Sequence, residues 1–115
     1  MYAPGQQIKF AVFGTEVVDF KTEAVAYSAS ATADVIAAVT GKRIVLLGFM
    51  LRAAAATTFT LTDGTNTTGA IGIPSTGFVA WPFSNTPILT TTVAAALRMT
   101  CSQNVSGQLV YCEVT

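Results

Sequence analysis

Histidine is absent from this sequence, and ionised side chains are scarce: six Lys or Arg against six Asp or Glu, 10% of the residues, with a net charge of zero. Without an imidazole there is no Ser-His-Asp or Cys-His relay and no zinc site with a histidine ligand. The six basic residues are scattered, Lys42–Arg43 being the one adjacent pair. That excludes the clustered positive footprint that a phosphate backbone requires, so no nucleic-acid partner is expected. Long apolar runs are missing too. The longest with bulky side chains, Ile44 to Leu51, is closed by Arg52, far short of the roughly 20 residues of a membrane helix. The opening Met1-Tyr2-Ala3-Pro4-Gly5-Gln6-Gln7 has neither the positive start nor the apolar stretch of a signal peptide, so synthesis and folding in the cytoplasm are expected. Cysteine is limited to Cys101 and Cys112, too few for a disulfide framework. They read as buried free thiols, with a bridge across the last turn as the alternative.

What fills the sequence instead is uncharged: 51% hydrophobic residues, with 18 threonines. A free-standing domain carries about a quarter charged residues and a net charge away from zero. A surface this poor in charge is expected to be covered in large part by other protein, because desolvating Thr and Ala costs less than desolvating Lys or Glu. With 115 residues there is room for one domain, and for a core that needs no metal or disulfide.

The pattern is that of strands. Phe59 and Leu61 face one way and Thr58, Thr60 and Thr62 the other; Leu97, Met99 and Cys101 oppose Arg98, Thr100 and Ser102. Near the end Leu109 and Tyr111 alternate with Gln108, Val110 and Cys112. Turn residues punctuate these runs: Gly41-Lys42 before a long strand from Ile44 to Arg52, Asp63-Gly64 after Leu61, and Pro74 to Gly77 before Phe78–Phe83. Ser102-Gln103-Asn104 is expected to close a final hairpin. Pro82 places its strand at an edge or ends it. Ala31–Val39 and Thr92–Leu97 are alanine-rich enough for a helical turn, although Val35, Ile36 and Val39 favour strand or loop in the first. The sum is an all-β, antiparallel sandwich of seven or eight strands.

Residues 1–23 stand apart from residues 24–115. They hold five of the 12 charges and, in Tyr2, Phe10, Phe13 and Phe20, four of the 11 aromatics. They read either as a first strand with a frayed start or as an arm that anchors on a neighbouring subunit, aromatics rimmed by charge being the make-up of interface hot spots. Trp81, with Phe78 and Phe83 close by, reads as a core or interface plug or as a carbohydrate-stacking platform.

No chemistry emerges. Glu16, Asp19 and Glu23 lack a second constellation to work with, and no loop has calcium-ligand spacing. Lys42 sits in a failed phosphate-loop match, with Ile36 for the first glycine and Arg43 for the required Ser or Thr. Asn66-Thr67-Thr68 and Asn104-Val105-Ser106 match the glycosylation pattern but read as turns. No catalytic residue, metal or cofactor is expected.

Ala31 to Thr62, with its Gly41-Lys42-Arg43 turn, long strand and Ala- and Thr-rich segment Ala53 to Thr62, resembles small virion proteins of tailed bacteriophages, as does the closing Val105-Ser106-Gly107-Gln108-Leu109-Val110-Tyr111. The resemblance implies a jelly-roll-like β-sandwich and a structural role as a head cement, or decoration, protein. It implies binding to the major capsid protein lattice on the head surface and to copies of itself, as a dimer first and a trimer second. A tail, neck or fibre component with a glycan-recognition sandwich is the alternative. Interface candidates are Tyr2, Phe10, Phe13, Phe20, Trp81 and Phe83.

Overall fold

A computed structural model describes residues 10–13, 16–81 and 87–115, with side chains from residue 18 onward. Eleven strands run in chain order: β1 (Phe10–Phe13), β2 (Glu16–Asp19), β3 (Lys21–Tyr27), β4 (Ala31–Ile36), β5 (Arg43–Arg52), β6 (Thr57–Thr62), β7 (Ile71–Ile73), β8 (Phe78–Trp81), β9 (Leu89–Thr90), β10 (Leu97–Cys101) and β11 (Val105–Val114). The described residues contain no helix, so both alanine-rich segments resolve as strand and loop. The count exceeds the expected seven or eight because β1, β2 and β9 are short pieces outside the main sheets' regular alternation.

Two antiparallel sheets carry the chain. One has the order β4-β10-β6-β7; the other has the order β3-β11-β5-β8, with β9 also pairing β5. The two orders correspond: at each rank stand two strands that follow one another in sequence, β3 with β4, β11 with β10, β5 with β6, and β8 with β7. The chain therefore passes from sheet to sheet at each of these four short connections. Apolar faces meet between the sheets, where Phe49 and Phe59 pack edge to face with ring centroids 5.7 Å apart. Leu46, Leu51, Leu61, Leu97, Met99 and Leu109 complete the centre of this core at 0% exposure. Each such side chain contributes roughly 1.5–3 kcal/mol by leaving water.

The last connection differs from expectation. Ser102–Asn104 joins no hairpin, since β10 pairs with β4 and β6 while β11 pairs with β3 and β5. The physical reason lies in the apolar faces of the two strands. Leu97, Met99 and Cys101 bury against Val105 and Leu109 across the core only if the strands sit in opposite sheets. The corner is pinned to the start of β6, where Gln103 N–H donates to Thr57 Oγ1 at 2.9 Å and Ser102 N–H to Thr58 O at 3.1 Å.

A bulge explains the unbroken apolar run in β5. Opposite β11 the register passes from Gly48–Val110 to Leu46–Tyr111, leaving Leu47 unpaired. Ile44 and Leu46 thus face the main core before the bulge, and Phe49 and Leu51 after it. Val45 and Leu47 point to the opposite face, where Val18 and Cys112 bury with them and Phe20 and Val114 pack alongside. The segment at the start of the chain therefore covers one end of its own sheet. β1 and β2 pair antiparallel, and β3 begins at Lys21, within the stretch set apart on composition. Cys101 lies in the main core and Cys112 in this second cluster, both buried and neither in a disulfide.

Candidate interaction surface

The outer faces of the two sheets differ. On the four-stranded sheet the outward positions are mostly threonine: Thr58, Thr60 and Thr62 on β6, Thr100 on β10 and Thr32 on β4. Thr100 stands opposite both Thr32 and Thr60, and its hydroxyl lies 3.3 Å from that of Thr32. Charges on this face are paired, with Arg98 Nε donating to Asp34 Oδ1 at 3.2 Å.

Asp63, at the end of β6, is an anchor rather than a reactive carboxylate. It accepts from Thr65 N–H (2.8 Å), Asn66 N–H (2.6 Å), Asn66 Nδ2 (2.9 Å) and Thr92 N–H (2.7 Å). Partial burial alone would raise its pKa, but these four donors outweigh it and hold the carboxyl well below the usual range. The last bond ties the β9–β10 loop to the β6–β7 turn. A cleft of about 400 Å³ beside it is lined by Asp34, Asp63, Ala95, Ala96 and Arg98. Lys21 and Glu113 form a further ion pair at the β3 edge, and the hydrogen bond to Glu113 raises the Lys21 pKa.

The five-stranded sheet presents an apolar corner instead. Along β8 the register sets Phe78 opposite Arg52 and Ala80 opposite Met50 on the outer face, while Val79 and Trp81 stand opposite the buried Leu51 and Phe49. Phe78 is 68% exposed, Met50 59% and Trp81 52%. A phenylalanine has on the order of 200 Å² to bury, so the exposed part of Phe78 forgoes about 3 kcal/mol that a covering surface would recover. Phe78 and Met50 line a cleft of about 480 Å³ with Arg52, Thr76, Ser106 and Gly107. Arg52 Nε reaches Ser106 Oγ at 3.4 Å.

The turn that delivers β8 is strained. Thr76 has φ +53°, an unusual conformation for a β-branched residue. It is held by Thr76 N–H to Ala54 O (3.2 Å) and by the flanking Gly77 N–H to Pro74 O (3.0 Å) and Ala53 N–H to Gly77 O (3.1 Å).

Among the sequence candidates, Trp81 is at this corner and Phe20 is half-buried on the second cluster. Phe10 and Phe13 lie on β1, without described side chains, and Tyr2 and Phe83 lie outside the described residues. Sequence reasoning noted Phe78 only as a neighbour of Trp81 and passed over Met50. Period-two alternation could have placed Phe78 outward, but Met50 points out only because the bulge at Leu47 reverses the parity. Among the described residues no three Cys, Asp or Glu side chains gather as metal ligands, and no helix is long and apolar enough to cross a membrane. No family model, curated protein or solved structure matches the chain.

Proposed function

We propose that this chain is a structural subunit of a tailed-phage particle, a cement protein that attaches to the outer surface of the assembled head and holds it by protein–protein contacts. The observation that carries this reading is the Phe78–Met50 corner, an apolar cleft among whose lining residues Arg52 is the one charge. A monomer's largest apolar patch is often its functional one. Elsewhere five of the charged side chains are engaged internally, in Lys21–Glu113, Arg98–Asp34 and the Asp63 turn, which lowers the cost of laying those parts of the surface against a protein lattice.

A jelly-roll winding belongs to the same proposal. Its support is the strand order, β3-β11-β5-β8 over β4-β10-β6-β7, with sequential strands at matching ranks. Cementing needs no chemistry. A subunit that binds the expanded shell and not its separated parts shifts the equilibrium toward the shell by mass action, and many copies add their small increments. An arm contact to a neighbouring subunit stays within this proposal for those residues of the 1–23 segment that neither cover their own sheet nor belong to β3.

The half-exposed Trp81 favours a second reading, a fibre or tail module that stacks a sugar on the indole. One preparation separates the two. Purified protein added to expanded heads that lack it should bind at a fixed stoichiometry and raise the temperature at which the heads release DNA. Binding to glycans that is lost in Trp81→Ala, with no binding to heads, would replace the cement reading by the fibre one.

A further inference from the structure

A sheet edge left open is a template for another strand, and soluble proteins protect such edges with charge, proline, glycine or short length. Among the described residues no strand pairs with the outer side of β3, β4, β7 or β8, the ends of the two main sheets, and three of these edges are protected. β3 carries Lys21 and Glu23, β4 carries Asp34, and β7 is three residues long with Gly72 at its centre and Pro74 just beyond. β8, Phe-Val-Ala-Trp, is four residues long and is followed by Pro82, but has no charge, proline or glycine within it. Its composition favours extended backbone.

We propose that β8 pairs with β8 of a second copy, antiparallel about a two-fold axis at Val79, joining the two five-stranded sheets into one. This deepens the subunit reading above, resting on it only for the expectation that copies associate.

Backbone alternation decides which groups are on offer. Ala53 N–H bonds Gly77 O, the rung next to Arg52–Phe78, so Gly77, Val79 and Trp81 direct their backbone groups toward β5. Phe78 and Ala80 therefore direct theirs toward the open side. Centring the axis on Val79 sets Phe78 opposite Ala80 of the second copy, and Ala80 opposite its Phe78. These two rungs use every outward group, making four N–H···O bonds. Centring it on Ala80 instead would set Phe78 against Pro82, which has no N–H to give.

Side chains choose the same register. Large meets small on both faces: the Phe78 ring lies over Ala80, Val79 meets Val79, and Trp81 covers Gly77, whose bare backbone an aromatic neighbour shields. The Gly77-Phe78-Val79-Ala80-Trp81 stretch is thus complementary to its own reverse. Each Arg52 lies on β5, one strand back, so the two guanidinium groups stand three strand spacings of about 4.8 Å apart and beyond a Debye length of about 8–10 Å. The pairing meets no charge opposition.

Sedimentation of the purified protein over a concentration series tests this, beside Ala80→Pro. Proline at an edge position whose N–H faces outward leaves the β5 ladder intact. The wild type is expected to be a reversible dimer. Ala80→Pro should keep the same circular dichroism and raise the dimer dissociation constant at least about tenfold, since two of the four edge bonds are removed. A second probe does not depend on that variant folding. Val79→Cys sits on the non-hydrogen-bonded rung, where Cα atoms lie about 4.5 Å apart, so mild oxidation should link two copies, while Thr22→Cys on the β3 edge stays unlinked. A wild type that is monomeric throughout, a dimer indifferent to Ala80→Pro, or Val79→Cys linking no faster than Thr22→Cys would overturn the proposal. So would a monomeric wild type whose attachment to heads is lost in Ala80→Pro, which would assign the edge to a strand of the shell. Head attachment by a monomer with Ala80→Pro harmless would sink the dimer and leave the cement reading standing; a dimer without affinity for heads would do the reverse.

Discussion

Replacing Gly107 by alanine should damage this fold more than the same change at Gly41, Gly64, Gly69, Gly72 or Gly77. Gly107 lies in β11 opposite Leu51, between β3 and β5, with φ +150°. A Cβ there would sit 1.9 Å from Met50 O, 2.9 Å from Met50 C and 3.0 Å from Leu51 Cα. Non-bonded atoms settle at about 3.5 Å, so β11 and β5 would have to part by well over 1 Å. Two or three rungs of the central pair would be lost at about 1 kcal/mol each, and an L-residue held at this φ adds about 1–3 kcal/mol. The expected loss is about 4 kcal/mol against a typical total of 5–15 kcal/mol. In thermal unfolding followed by circular dichroism that corresponds to a fall in midpoint of about 15 °C. Wild type and variant must be compared at equal protein concentration, because self-association raises the apparent midpoint. Gly72→Ala is the control. Its added methyl meets nothing within 4 Å and its backbone is ordinary, so stability should move by no more than about 0.5 kcal/mol. A Gly107→Ala variant that loses less than about 1 kcal/mol would refute the β5–β11 approach, and with it the register of the sheet that carries the apolar corner.

Other outcomes follow from the same contacts. Asp63→Asn replaces a carboxylate oxygen that faces two donors with an amide that can only repeat them, and should cost about 1–3 kcal/mol in urea unfolding. Because the Asp63 pKa is depressed in the folded state, its contribution is complete above the unfolded carboxyl pKa of about 4 and is lost as pH falls toward the folded value. Stability of the wild type should therefore drop more steeply below pH of about 4 than that of Asp63→Asn; parallel curves would remove Asp63 as the anchor. Cys101 and Cys112, at 3% and 0% exposure, should resist a thiol reagent in the native state, react in urea, and leave the unfolding curve unchanged by reductant. Rapid native labelling of either would contradict their burial.

Much of the sheet architecture was readable because the relevant strands bury one face only. β6 and β10 alternate strictly, with Phe59, Leu61, Leu97, Met99 and Cys101 inward, and period two states that without ambiguity. Pro82 likewise pointed to an edge or an end for its strand, and β8 lies at an edge of its sheet. What stayed hidden depends on contacts between distant segments. β5 is buried on both faces along part of its length because Val18 and Phe20 return to cover Val45 and Leu47, so its sequence shows a run in place of an alternation. The bulge at Leu47 is set by the pairing with β11 and has no local signal, which is why Met50 was not foreseen at the surface. The Ser102–Asn104 turn looks like any hairpin turn; only the need to set two apolar faces across a core sends β11 to the other sheet. The aromatics of the first 23 residues drew notice by composition, whereas the exposed corner is made by Phe78 and Met50, which no composition count separates from core residues.

The most direct test of the central claim is quantitative co-sedimentation with expanded phage heads stripped of this subunit, comparing wild type with Met50→Ser. Met50 stands on the outer face one strand back from the β8 edge, so the substitution removes part of the apolar corner without touching the paired edge. The wild type should pellet with heads to a fixed stoichiometry, and Met50→Ser should bind at least about tenfold more weakly with an unchanged unfolding midpoint. Wild-type protein left in the supernatant at every concentration, or Met50→Ser binding as tightly as wild type, would contradict the account.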